Sequence, residues 1–147
     1  MRQAMDLAQV SGEAGDVPVG AIVAFGGQVV GSGANAREST GDPTAHAEVL
    51  ALRAAARARG SWRLEGAALY VTLEPCPMCA GALVMARLSR LVFAAADPKA
   101  GSCGSLYNLC SDPRLNHEVE VVSGVLAAEA AGMLSSWFAR RRGAPAP

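Results

Sequence analysis

The 147-residue chain has no excess of charge, no long hydrophobic run and only one lysine. Its 13 basic and 13 acidic residues give a formal net charge of zero at pH 7, so the overall charge does not support a nucleic-acid partner. No apolar stretch reaches the roughly 20 residues that a membrane-spanning helix needs. The N-terminus carries Asp6 and lacks the apolar stretch of a signal peptide. We therefore predict a cytoplasmic protein with no membrane partner.

Hydrophobic residues make up 51% of the chain, which argues against disorder. No linker or internal repeat divides the sequence, so we predict one domain over residues 1–147. Apolar runs at 19–25 and 28–34 flank Gly26-Gly27, which is a strong signal for a two-residue hairpin turn. Further strands are predicted at 67–73, 90–96 and 118–122, and helices at 2–14, 45–59, 78–88 and 125–142.

This alternation of elements predicts an α/β fold. Buried strands that follow helical crossovers are typical of a three-layer α/β/α sandwich around a mixed five-stranded sheet. The first hairpin has to be antiparallel, and we expect the strands linked through helices to be parallel.

Two short motifs carry the chemistry of the chain. The first is His46-Ala47-Glu48, and the second is Pro75-Cys76-Pro77-Met78-Cys79. One imidazole and two thiolates suit zinc, and three protein ligands leave a fourth position for water, as in catalytic zinc sites. The pattern H-x-E followed by P-C-x-x-C is the signature of zinc nucleobase deaminases.

The spacing within these motifs restricts where a metal can lie. Cys76 and Cys79 share a helix face if Pro75 opens a helix. His46 and Glu48 point about 200° apart on an ideal helix, so they converge only ahead of the first turn. The metal is therefore predicted between two helix N-termini, one near residues 44–45 and the other near residue 75. There a zinc-bound water would be the nucleophile, and Glu48 would shuttle its proton to a ring nitrogen and to the leaving ammonia.

Each element of this site also has another interpretation. Cys76 and Cys79 alone could form a redox pair. His117 could act as a fourth ligand, which would make the zinc structural. We interpret Cys103 and Cys110 as core or loop thiols rather than ligands. The basic run 140–142 fits a solvated helix C-terminus as well as an RNA contact.

Beyond these motifs, the sequence resembles the bacterial tRNA-specific adenosine deaminases from about residue 4 to residue 142. The matching segments are VPVGA at 17–21, DPTAHAE at 42–48, YVTLEPC at 70–76, MCAGA at 78–82, GSL at 104–106 and NH at 116–117. The resemblance implies a cytidine deaminase-like fold, one Zn²⁺ per chain bound by His46, Cys76 and Cys79, and a homodimer. It also implies hydrolytic conversion of adenosine to inosine at the wobble position of an arginine tRNA, with the anticodon stem-loop as partner.

The resemblance further implies roles for individual residues around the target nucleoside. Asn35 would form a hydrogen bond with the nucleoside. The backbone N–H of Ala47 would bind the purine edge, and the carbonyl of Pro75 would bind the amino group that is displaced.

Contacts with the rest of the RNA are implied in the same way. Asp97 and Lys99 would lie near the flanking nucleotides, and Arg141 and Arg142 would contact the anticodon stem. The chain departs from the family at Ala96, where a basic residue often precedes the aspartate.

Two other functions stay open on the sequence alone. A deaminase of a free base or nucleoside would use the same chemistry without RNA. A non-enzymatic module stabilised by zinc would have no use for Glu48 beside its metal. Apolar residues on one predicted helix give weak support for the dimer, and packing inside the monomer would explain them as well: Met78, Leu83, Val84 and Met85.

Overall fold

The computed structural model describes residues 1–143, which form a five-stranded sheet and its covering helices. The helices are α1 Arg2–Glu13, α2 Arg37–Thr40, α3 Ala47–Arg59, α4 Pro77–Met85 and α5 Ala127–Arg142, with a short 3₁₀ helix at Leu109–Ser111. The strands are β1 Gly20–Phe25, β2 Gln28–Ala34, β3 Ala68–Leu73, β4 Arg90–Ala95 and β5 Glu120–Ser123. Within residues 1–143 no helix is both long enough and apolar enough to span a bilayer.

The sheet has the strand order β2-β1-β3-β4-β5. β1 pairs antiparallel with β2 and with β3, whereas β3–β4 and β4–β5 are parallel. Phe25 pairs with Gln28 across the turn, and Gly26 and Gly27 both have positive φ angles of 58° and 80°. Two successive positive φ values are what a two-residue hairpin turn requires. The predicted mixed sheet, its antiparallel hairpin and its parallel β3–β4 crossover are confirmed.

Helices cover both faces of the sheet, which confirms the three layers. α3 and α4 contact each other on one side, where α3 packs on β1 and β2, while α1 and α5 cover the other. The larger core cluster lies on the α3 and α4 side and includes Ala51, Leu69, Leu83, Leu91 and Phe93. A smaller cluster on the opposite side joins Met5, Ala94, Ala95 and Ala130.

Glycines on β2 let α3 approach the sheet closely. A Cβ atom on Gly33 would overlap the carbonyl oxygen of Ala47 and would lie 2.8 Å from the backbone nitrogen of Ala51. Real side chains do not tolerate such distances, so Gly33 is required for this approach. The first turn of α3, which carries Glu48, is thereby fixed against the sheet.

The predicted element boundaries shift at several positions. The stretch between the predicted strand at 28–34 and the predicted helix at 45–59 contains α2, and the helix predicted at 78–88 ends earlier, at Met85. Arg87 has a φ of +60°, which turns the chain so that Leu88 enters the core.

Candidate active site

Two helix N-termini meet near the carboxyl end of β3, but α3 begins at Ala47 rather than near residues 44–45, and α4 begins at Pro77 rather than at Pro75. His46 is the N-cap residue of α3 and Cys76 is the N-cap residue of α4, both with extended backbone. Pro77 occupies the first position of α4, which its fixed φ favours. Cys79 follows in the first turn and is fully buried. Because His46 precedes the helix, it does not point away from Glu48 as two helical residues at this spacing would.

The side chains of His46, Cys76 and Cys79 converge on one point. Nδ1 of His46 lies 3.6 Å from Sγ of Cys76 and 3.5 Å from Sγ of Cys79. A tetrahedral zinc ion bound at ordinary Zn–N and Zn–S lengths needs N···S separations of about 3.6 Å. The three ligand atoms lie within 4.8 Å of one another. The residues present therefore fit a zinc ion.

The electrostatics of this cluster favour a thiolate. The hydrogen bond from Cys79 lowers the pKa of Cys76 to about 4, with a further contribution from His46. The same hydrogen bond raises the pKa of Cys79, and the contact with Cys76 raises the pKa of His46. Thiolate is the form of cysteine that binds metal.

Glu48 lies beside the metal-binding cluster without belonging to it. Its side chain is only 4% exposed, and burial raises its pKa. Among residues 1–143 the histidine, cysteine and acidic residues close enough to share a metal are His46, Cys76 and Cys79 alone. Glu48 is therefore a buried carboxyl group next to the ligands, which suits proton transfer.

A cavity of about 200 Å³ opens over this cluster. Six of the predicted site residues line it: Asn35, His46, Ala47, Glu48, Cys76 and Asp97. The amide Nδ2 of Asn35 donates to the carbonyl oxygen of Val17 at 3.0 Å, which fixes its side chain in the wall.

Other predicted residues lie outside the cavity wall. Pro75 is buried, and its carbonyl oxygen accepts a hydrogen bond from the backbone N–H of Ser102 at 2.8 Å. Lys99 is exposed. Its backbone N–H donates to Oδ1 of Asp97 at 2.9 Å, so Asp97 stabilises the turn that carries Lys99.

The arginines at the end of α5 differ from each other. Nη2 of Arg141 donates to the carbonyl oxygen of Gly15 at 2.6 Å, and its guanidinium lies 4.3 Å from the ring centre of Trp137. Arg141 therefore ties α5 to the end of α1. Arg142 is exposed at the last position of the helix.

The other residues considered as metal ligands lie outside the metal-binding cluster. Nε2 of His117 donates to the carbonyl oxygen of Leu88 at 2.6 Å, and His117 is not part of the metal-binding cluster. Cys103 and Cys110 are buried in the core, with their sulfur atoms 3.6 Å apart. They are core thiols and not ligands, in agreement with the interpretation of the sequence.

Sequence reasoning missed the two other charged residues of the cavity wall, Arg37 and Glu74. Arg37 stands in a stretch whose composition signals only a turn. Glu74 immediately precedes Pro75-Cys76 and belongs to the matching segment at 70–76, and these two signals could have identified it. Burial opposes ionisation of Glu74, but hydrogen bonds from Ser105, Asp97 and Cys103 prevail and lower its pKa.

Comparison with known proteins finds deaminases, which agrees with the chemistry of the site. A family model described as MafB19-like deaminase matches residues 1–135. The tRNA-specific adenosine deaminase of Bacillus subtilis strain 168 is 50% identical over 142 residues, which cover 97% of this chain and 88% of that protein. The enzyme of the same name from Haemophilus influenzae is 46% identical over 143 residues, covering 97% and 83%.

Solved structures with a similar fold are deaminases as well. A structure from studies of A-to-I editing by tRNA:A34 deaminases has a TM-score of 0.88 and 42% identity, covering 91% of this chain and 97% of that one. A guanine deaminase from Bacillus subtilis is more distant, with a TM-score of 0.64 and 31% identity over 99% and 94% of the two chains. On this likeness in sequence and fold, the chain belongs to the family of tRNA-specific adenosine deaminases.

Proposed function

We propose that this protein is a zinc-dependent tRNA adenosine deaminase that converts adenosine to inosine at the wobble position of an arginine tRNA. The buried carboxyl group of Glu48 beside His46, Cys76 and Cys79 is the observation that carries the proposal. A purely structural zinc site has no use for a buried acid next to its ligands. The family of the chain supports the choice of adenosine in tRNA as the substrate.

The chemistry needs a nucleophile and a proton carrier. A zinc ion held by His46, Cys76 and Cys79 would supply a Lewis acid that makes water reactive at neutral pH. The Glu48 carboxylate takes a proton from the attacking water. It delivers that proton to a ring nitrogen of the adenine and then assists the departure of ammonia. The burial that raises the pKa of Glu48 makes its carboxylate a stronger proton acceptor, which supports its role as the base that takes the proton from water.

The cavity wall offers groups that orient the base. Ala47 is the first residue of α3, so its N–H has no partner within the helix and is free to bind the purine edge. The Pro75 carbonyl oxygen already accepts from Ser102, but a carbonyl has a second lone pair for the amino group of adenine. Asn35, held by Val17, would form a hydrogen bond with the nucleoside.

Binding of the anticodon stem-loop would use local groups. Asp97 lines the cavity, and the exposed Lys99 follows it in the same turn. We propose that these two residues lie near the nucleotides that flank the target. Arg141 and Arg142, at the end of α5, would contact the stem.

We also propose a homodimer and a cytoplasmic location, with residues 1–147 as one deaminase unit. An apolar groove of about 310 Å³ lies between α3 and α4 and includes Trp62, 59% exposed, and Met85, 67% exposed. Leu83 and Val84 are buried in the monomer core, so the dimer would use Met85 and Met78 instead. Four free thiols and a tRNA substrate suit a reducing compartment.

The dimer has a direct test by analytical ultracentrifugation. Met85→Arg should shift the protein toward a monomer, because it places a charge in the groove. Val10→Arg is the matched control, since Val10 is 58% exposed on α1. Equal masses for both variants would count against the groove as the interface.

The activity is tested by incubation with an anticodon stem-loop and, separately, with free adenosine, adenine, guanine and cytosine. Inosine in the stem-loop and release of ammonia are the expected results. Deamination of a free base or nucleoside with no reaction on the stem-loop would favour the alternative of a small-molecule deaminase. No deamination of any substrate by zinc-loaded protein would favour a binding module.

A further inference from the structure

Glu74 has a buried side chain with an unusual set of partners. Its Oε2 accepts from the backbone N–H of Asp97 at 2.9 Å. Its Oε1 accepts from the backbone N–H groups of Cys103 at 3.1 Å and Ser105 at 2.9 Å. The hydroxyl of Ser105 also donates to Oε2. All four donors belong to one segment, residues 97–105, and the carboxylate is only 2% exposed.

This segment forms part of the wall of the active-site cavity. Asp97 and Ala100 line the cavity together with Glu74 itself. The segment also contacts Pro75, the residue after Glu74. The backbone N–H of Ser102 donates to the carbonyl oxygen of Pro75 at 2.8 Å. The three residues that follow β3 therefore connect two parts of the site: Glu74 and Pro75 bond to the 97–105 segment, and Cys76 belongs to the metal-binding cluster.

The fit between the carboxylate and the segment is tight. A Cβ atom on Gly101 would overlap the Glu74 carboxylate and would lie 2.5 Å from the carbonyl oxygen of Asp97. Any side chain at position 101 would push the segment away from Glu74. The position of the segment around Gly101 and the position of the carboxylate thus depend on each other.

The partners need a group that only accepts hydrogen bonds. An ionised carboxylate offers lone pairs on both oxygens, whereas an amide turns one of them into a donor. A donor facing buried N–H groups leaves those groups unsatisfied, at a cost that exceeds that of a lost exposed hydrogen bond. Loss of the Glu74 charge should therefore release the segment. The Glu74 carboxylate bonds to residues 97–105, whereas His46 contacts Cys76 and Cys79, so we expect these three ligands to remain in place.

We propose that Glu74 is a positioning residue that holds the 97–105 segment as the wall against which the nucleotides flanking the target adenosine bind. This inference rests on the proposed function. It assigns Glu74 an effect on substrate binding through Asp97 and its turn, and no contact with the reacting atoms.

The central test is Glu74→Gln, which keeps the size of the side chain. We expect the KM for an anticodon stem-loop to rise by about tenfold, with kcat within about threefold of the original, since binding of the flanking nucleotides is lost in ground and transition states alike. The zinc content should not change. Loss of zinc would assign Glu74 to the support of the metal-binding cluster and would overturn the proposal.

Gly101→Ala is an independent test, because it displaces the same segment and leaves the carboxylate intact. It should raise KM to a similar extent, and the double variant should be no worse than either single one, as expected for two residues that act as a unit. Additive losses would contradict the proposal. Ser105→Ala is the matched control; it removes one donor and keeps three, so its effect should be smaller.

A measurement without substrate separates this proposal from the proposed function. Amide hydrogen exchange in the zinc-loaded full chain should speed up at Asp97, Cys103 and Ser105 in Glu74→Gln, with α3 and α4 unchanged. Should the unaltered protein fail to deaminate any stem-loop, the proposed function fails, and exchange still decides whether Glu74 holds the segment. Unchanged exchange in this segment in both Glu74→Gln and Gly101→Ala would overturn the inference.

Discussion

At the scale of single residues, the site separates metal binding from proton transfer. Glu48 is buried beside the ligands, while Cys76 is one of them. We expect Glu48→Ala to retain zinc and fold but to lose activity by about 10² to 10⁴, which is typical for loss of a general acid–base. Cys76→Ala should lose zinc together with activity. Elemental analysis beside an inosine assay distinguishes the two, and near-normal turnover by Glu48→Ala would contradict the mechanism.

The residue scale also shows what sequence could reach. His46, Glu48, Cys76 and Cys79 were predictable because metal chemistry restricts both residue type and spacing. The role of Glu74 was not, because its partners lie 23 to 31 positions away. Local spacing carries no information about such a contact. The bond from Arg141 to Gly15 spans 126 positions and escaped prediction for the same reason.

At the scale of elements, the hairpin and the strands followed from local chemistry. Gly26-Gly27 specifies its own turn, and short apolar runs specify buried strands. α2 was missed because a distant acid stabilises it. The carboxylate of Asp16 accepts from the backbone N–H groups of Glu38 at 2.7 Å and Ser39 at 3.2 Å. The four residues of α2 have no N-cap side chain that bonds to the helix, so the sequence there gives no helical signal.

The packing of α3 on β2 yields a prediction about stability. Gly33→Ala should lower the free energy of unfolding by about 1–3 kcal/mol, because its Cβ atom would collide with the backbone of Ala47 and push α3 from the sheet. Gly132→Ala in α5 is the matched control: nothing lies within 4 Å of its Cβ position, and alanine favours a helix by about 0.5–1 kcal/mol. Urea denaturation of both variants measures the difference. Equal stability would show that α3 has room to move.

At the scale of the whole molecule, a net charge of zero leaves RNA attraction to local groups. Arg141 and Arg142, two of the three arginines in the last turn of α5, differ in how much they contribute to the fold. Arg141 bonds to Gly15 and packs on Trp137, so Arg141→Ala should lower the melting temperature. Arg142 is exposed, so Arg142→Ala should leave stability nearly unchanged.

The salt dependence of stem-loop binding tests whether Arg141 and Arg142 contact RNA phosphates. Each phosphate contact that is lost should reduce the slope of log K against log salt by about 0.7 to 0.9. We expect Arg142→Ala to weaken binding and flatten the slope by one such step, and the Arg141→Ala, Arg142→Ala double variant to do so further with zinc intact. If the double variant loses only thermal stability and binds the stem-loop as before, the arginines serve the helix C-terminus alone. RNA attraction would then have to come from the cavity mouth, where Arg37 lines the wall and Lys99 stands exposed in the Asp97 turn.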